Sequence, residues 1–66
     1  MNEEEFKKIW QELINRYGNV WVHNKNGDFH IKANGYEIKE SLKEVYLYLN
    51  SELIASVKLR SIDWLG

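Results

Sequence analysis

Two histidines and a set of large aromatics carry most of the chemistry available to this 66-residue chain. Asn26-Gly27 is a strong two-residue hairpin signal, because a type I′ turn needs positive φ at both central positions. A turn there brings His23 opposite His30. Two opposed imidazoles could supply two metal ligands, or titrate as a coupled pair near neutral pH. A tetrahedral zinc site needs three or four protein ligands, and Asp28 is expected on this face only at the turn. An exposed histidine pair is therefore expected, with no metal and no cofactor. Catalytic groups are scarce as well. The chain has no Cys, no phosphate-cradling glycine loop and no well-placed Ser–His–acid set. Gly18, Gly27, Gly35 and Gly66 are accounted for by a helix cap, two turns and the terminus. The expectation is a protein that is not an enzyme.

The aromatics suggest binding instead. In the strand register derived below, one sheet face collects Trp21, His23, His30, Lys32, Glu37, Lys39, Tyr46, Tyr48, Ile54, Ser56, Lys58 and Arg60. Exposed apolar patches mark interaction sites, and Trp, Tyr and Arg dominate binding hot spots. The candidate partner-binding set is Trp21, His23, His30, Lys32, Tyr46, Tyr48, Lys58 and Arg60. Its first expected partner is a protein, a second copy of the chain included. Single-stranded nucleic acid is the alternative, with nucleobases stacked on the rings and phosphates held by the Lys and Arg side chains. The plainer account is that these rings only stabilise the sheet through cross-strand pairs.

These residues must be positioned by a small set of elements. Phe6, Ile9, Trp10, Leu13, Ile14 and Tyr17 recur at helical spacing and predict an amphipathic helix over 3–17. Asn2 with Glu5 reads as a capping box, and Gly18 falls where a helix-ending glycine belongs. Glu3–Lys7, Glu4–Lys8 and Glu12–Arg16 are i,i+4 pairs in the favourable order. From Asn19 the period changes to two. Hairpins at Asn26-Gly27 and Asn34-Gly35 set Val20 opposite Ala33, Val22 opposite Ile31 and Lys25 opposite Asp28. The second turn sets Ala33 opposite Tyr36. One face then gathers Val20, Val22, Phe29, Ile31, Ala33, Tyr36 and Ile38, a sorting that a one-residue slip would scramble.

Residues 41–50 admit two readings. A capping box at Ser41–Glu44 and a stripe of Leu42, Val45, Tyr46, Leu49 and Leu53 would make a second helix, giving an α-β-β-β-α-β order. A strand over 44–49 is preferred, since a four-residue loop at 40–43 continues both faces by setting Ile38 opposite Val45. A three-residue loop at 50–52 then sets Leu49 opposite Leu53, Leu47 opposite Ala55 and Val45 opposite Val57. The last strand covers 53–60, and Trp64 lies in a tail that folds back or meets a partner. The expected fold is α+β: one N-terminal helix on one face of a five-stranded antiparallel meander, forming a single small domain over 1–66.

Composition bounds the remainder. A chain of this size buries only about 60% of its unfolded surface, leaving roughly 4,400 Å² exposed. Without disulfides it must rely on regular packing or a partner. Nine bases against ten acids give a net charge of −1, too little to steer the chain to nucleic acid or anionic lipid. The opening MNEEEFKK lacks a signal-peptide pattern, and the longest apolar run, 45–49, is far short of a membrane span. No membrane association and a cytoplasmic location are expected. Abundant Lys, Asn, Ile and Tyr have AT-rich codons, which suggests a phage or mobile-element gene encoding a small regulator.

Overall fold

The computed structural model describes residues 1–24 and 26–66. It contains one helix and six strands, an α+β arrangement. Helix α1 spans Glu3–Tyr17 as the periodicity predicts. The Asn2 side chain accepts a hydrogen bond from the Glu5 N–H at 2.8 Å. At the far end Gly18 adopts the left-handed region, φ 79, and donates its N–H to the Ile14 carbonyl. Only a residue without Cβ enters that region freely. Glu3 and Lys7 pair at 2.9 Å. Among the described residues Glu4–Lys8 and Glu12–Arg16 form no ion pair, and the Arg16 guanidinium instead lies 5.9 Å from the Tyr17 ring centroid.

The strands are β1 (Val20–Asn24), β2 (His30–Ala33), β3 (Gly35–Lys39), β4 (Glu44–Leu49), β5 (Glu52–Lys58) and β6 (Ile62–Leu65). They form two three-stranded antiparallel sheets, ordered β2-β1-β6 and β3-β4-β5. The expected five-stranded meander is thus divided between two sheets, and a sixth strand occupies what was expected to be a tail. The β1–β2 register is the expected one, with Val20 opposite Ala33 and His23 opposite His30. The Lys25–Asp28 pairing lies outside the described residues.

The division happens at Asn34. No hairpin forms there, and Ala33 does not face Tyr36. Only Gly18 and Gly27 among the glycines have positive φ, so Asn34-Gly35 lacks the geometry of a type I′ turn. The chain instead passes from one sheet into the other. The Asn34 N–H donates to the Tyr48 carbonyl at 2.9 Å. Its side-chain carbonyl accepts from the Asn50 N–H, and its amide donates to Asn50 Oδ1, both at 2.9 Å. The type I′ signature appears at Asn50 and Ser51, both with positive φ (52 and 71). That makes a two-residue loop, with Leu49 opposite Glu52, where three residues were expected.

Residues 44–49 are a strand, so the second-helix alternative does not hold. Ile38 faces Val45 and Lys39 faces Glu44, as the four-residue loop requires. Val45 faces Val57 and Leu47 faces Ala55, but the register shifts beyond Leu47, and Tyr48 faces Leu53. A residue inserted into one strand of a pair rotates its neighbours out of alternation. Leu53, expected inward, is 53% exposed for this reason. Beyond β5, Leu59–Ser61 form a single 3-10 turn. Arg60 therefore sits on that turn and not in a strand.

Both sheets contribute to one core. Val20, Val22 and Ala33 come from the first sheet and its β6 adds Ile62 and Leu65. The second sheet adds Val45 and Leu47, the turn adds Leu59, and α1 adds Phe6 and Trp10. Tyr36 meets Phe6 and Trp10 edge-on, with ring centroids 5.0 and 4.9 Å apart. Such edge-to-face pairs are favoured by the ring quadrupoles. Tyr17 was expected in this core; it lies in the last helical turn, past the core residues, and is 62% exposed. Among the described residues no helix is long and apolar enough to cross a membrane.

Candidate binding surface

Because Val20 and Val22 point into the core, Trp21 and His23 project from the outer face of the first sheet. Cross-strand neighbours share that face. His30 is opposite His23, Lys32 is opposite Trp21, and Trp64 is opposite His23 on the other side. The His23 and Trp64 rings lie 3.7 Å apart at 1°. His30 follows at 6.2 Å from His23, and Trp21 at 5.8 Å from His30. Four rings thus run across three strands in the order Trp64, His23, His30, Trp21. Trp64 is 50% exposed and Trp21 39%.

Gly66 belongs to this surface. Its N–H donates to the Trp21 carbonyl at 2.9 Å, and the Trp21 N–H donates to the Gly66 carbonyl at 3.1 Å. A Cβ on Gly66 would come within 2.5 Å of the Trp64 ring, so the absent side chain gives the indole its place. Beside Trp21 lies an open concavity of about 440 Å³, lined by Tyr17, Asn19, Trp21 and Gly66. Partial burial holds the His23 imidazole below its ordinary pKa, and the neighbouring His30 charge adds to the effect. Among the described residues no third His, Cys, Asp or Glu joins the two histidines in a metal-type cluster.

The predicted partner-binding set is divided by the fold. Trp21, His23, His30 and Lys32 come together on the first sheet. Tyr46, Tyr48 and Lys58 belong to the second sheet, and Arg60 to the 3-10 turn. The single face expected to hold all of them does not exist, because β2 and β3 are not paired. The lysines of the second sheet, Lys39 and Lys58, each pair with a carboxylate of the same sheet. Glu44 accepts from the Ser56 hydroxyl at 2.8 Å and from Lys58 Nζ at 3.3 Å. The Ser56 hydrogen bond, followed by Lys58, holds the Glu44 carboxyl below the usual carboxylate range. Lys39 pairs with Glu37 at 3.6 Å and lies 5.5 Å from the Tyr46 ring centroid.

Sequence reasoning missed Trp64, Tyr17 and Asn19 as parts of this surface. The run Ile62-Asp63-Trp64-Leu65 carried a strand signal in its β-favouring residues. Its alternation is broken by the register shift where β6 passes from His23 to Asn24. No protein-family model matches this chain, and neither a curated protein nor a solved structure matches it.

Proposed function

We propose that this chain is a small, non-catalytic, cytoplasmic binding protein that engages a protein partner through the outer face of its first sheet. The observation that carries this reading is the run of four rings from Trp64 to Trp21, ending in two exposed indoles. Large, rigid, amphipathic side chains give contact area at low entropic cost and recur at the centres of interfaces. The second sheet, whose lysines are already matched to acids, plays no part in the contact. The AT-rich residue bias supports an origin in a phage or mobile-element gene, where a protein of this size would modulate a host protein.

Affinity capture from host lysate tests the reading with variants on each sheet. Trp21→Ala and Trp64→Ala should lose the captured partner, while Tyr46→Ala and Tyr48→Ala should retain it, all four keeping the wild-type circular dichroism. Retention by the folded double variant of Trp21 and Trp64 would refute the assignment. One observation favours a second reading, a single-stranded nucleic-acid module: Lys32 stands opposite Trp21 and has no carboxylate partner among the described residues.

A further inference from the structure

The edge of an open sheet leaves backbone N–H and C=O groups unpaired, and native proteins protect such edges with short strands, bulges or charges. The edge strands here are β2 and β6 in the first sheet and β3 and β5 in the second. β2 and β6 have four residues each, and each holds a charge within it, Lys32 and Asp63. β3 holds Glu37 and Lys39. β5 is the longest at seven residues, and its charges stand only at its two ends, Glu52 and Lys58. The run between them, Leu53-Ile54-Ala55-Ser56-Val57, has no charge, no Gly and no Pro. Among the described residues, Leu53 and Ile54 are the only large apolar side chains in the second sheet's strands that are exposed. The register shift beyond Leu47 is the one protective irregularity of β5, and Ala55–Lys58 stay in unbroken pairing with β4.

An edge of this kind accepts an added strand, whose main-chain hydrogen bonds extend the sheet. The end charges select which strand. Glu52 begins β5 and Lys58 ends it, so an antiparallel copy of β5 brings Glu52 of each chain towards Lys58 of the other. A parallel copy would set like charges together, which is destabilising. Among the described residues Glu52 makes no ion pair within its own chain, and Lys58, paired with Glu44, remains half-exposed. An antiparallel pairing of identical strands is isologous and closes at two copies. We propose that β5 is a self-association edge at which two copies of the chain pair antiparallel, joining their second sheets in the order β3-β4-β5-β5-β4-β3. The ring row lies on the first sheet, so this inference is independent of the protein-binding reading above, and either can fail alone. One added strand makes a small interface, and the association is correspondingly concentration-dependent.

Light scattering on the whole chain over a concentration series tests it. The mass should rise from one copy to two and no higher. Ile54→Lys places a charge inside the bare run at an exposed position and should stay monomeric with wild-type circular dichroism. Glu52→Lys turns two attractive contacts per dimer into two repulsive ones and should weaken dimerisation at least about tenfold. Trp21→Ala and Trp64→Ala should dimerise like the wild type. Hydrogen exchange locates the contact without any substitution: amides within 53–57 should gain protection on dimerisation, and those of β2, β3 and β6 should not. A wild type that stays monomeric into the millimolar range, or a mass beyond two copies, would overturn the inference. So would a dimer indifferent to both β5 variants, a dimer lost with either tryptophan, or new protection at another edge.

Discussion

Trp10 and Trp21 are the same residue type used for opposite ends. Trp10 is 4% exposed and touches both Phe6 and Tyr36, so Trp10→Ala should cost about 3–5 kcal/mol. For a domain with total stability of about 5–15 kcal/mol, urea denaturation should show a large fall in midpoint or outright unfolding. Trp21→Ala removes an exposed side chain and should leave that midpoint nearly unchanged. His23 adds a pH dependence with a definite sign. Its folded pKa lies below the ordinary value of 6.5, so the unfolded chain binds the proton more readily. Its contribution to stability is complete above about pH 6.5 and is lost as pH falls through the folded pKa. Thermal melts from pH 7.5 to 5 should show this loss in the wild type and a smaller one in His23→Phe. The opposition of His23 and His30 was legible in the sequence, because a hairpin dipeptide between alternating strands specifies its own register. The His23–Trp64 stack was not, because it joins residues that only the finished fold brings together.

At the scale of elements, Asn-Gly and Asn-Ser exchanged the roles their dipeptides suggest. Asn34-Gly35 has the stronger turn propensity, yet Asn34 links the sheets and ties down the Asn50-Ser51 loop with two side-chain hydrogen bonds. Tertiary context overrode local preference, since turning back at Asn34 would have faced Ala33 with Tyr36, whereas the straight path lets Tyr36 reach Phe6 and Trp10. Asn34→Ala should cost about 1–3 kcal/mol for the two bonds lost, measurable by denaturant titration. A change within the error of the measurement would show that the clasp does not hold the sheets. The helix and its caps, the β1–β2 register and most of the pairing from β3 to β5 were legible, because each rests on local chemistry or on an unbroken period of two. The register shifts near Leu47 and Asn24 were not. One inserted residue leaves no mark in composition, yet it moves Leu53 out of the core and gives β6 an irregular pattern.

Across the whole molecule, the folded surface is 4387 Å², close to the value expected from chain mass alone. The core is closed by contacts between distant parts of the chain. β1 pairs with β6, and the Met1 amino group donates to the Ile62 carbonyl at 3.1 Å. That closure orders events in time. Folding slows as contacts join residues far apart in sequence, and the β1–β6 pairing is among the most separated here. A chain emerging from the ribosome can form α1 and the β1–β2 hairpin early, but Val22 and His23 lack their second neighbours until residues 62–65 are free. Only then does Trp64 reach His23 and Gly66 reach Trp21. The row of four rings is therefore complete only once β6 has paired with β1, so a chain that has formed α1 and the first hairpin alone still leaves His23 without its stacking partner.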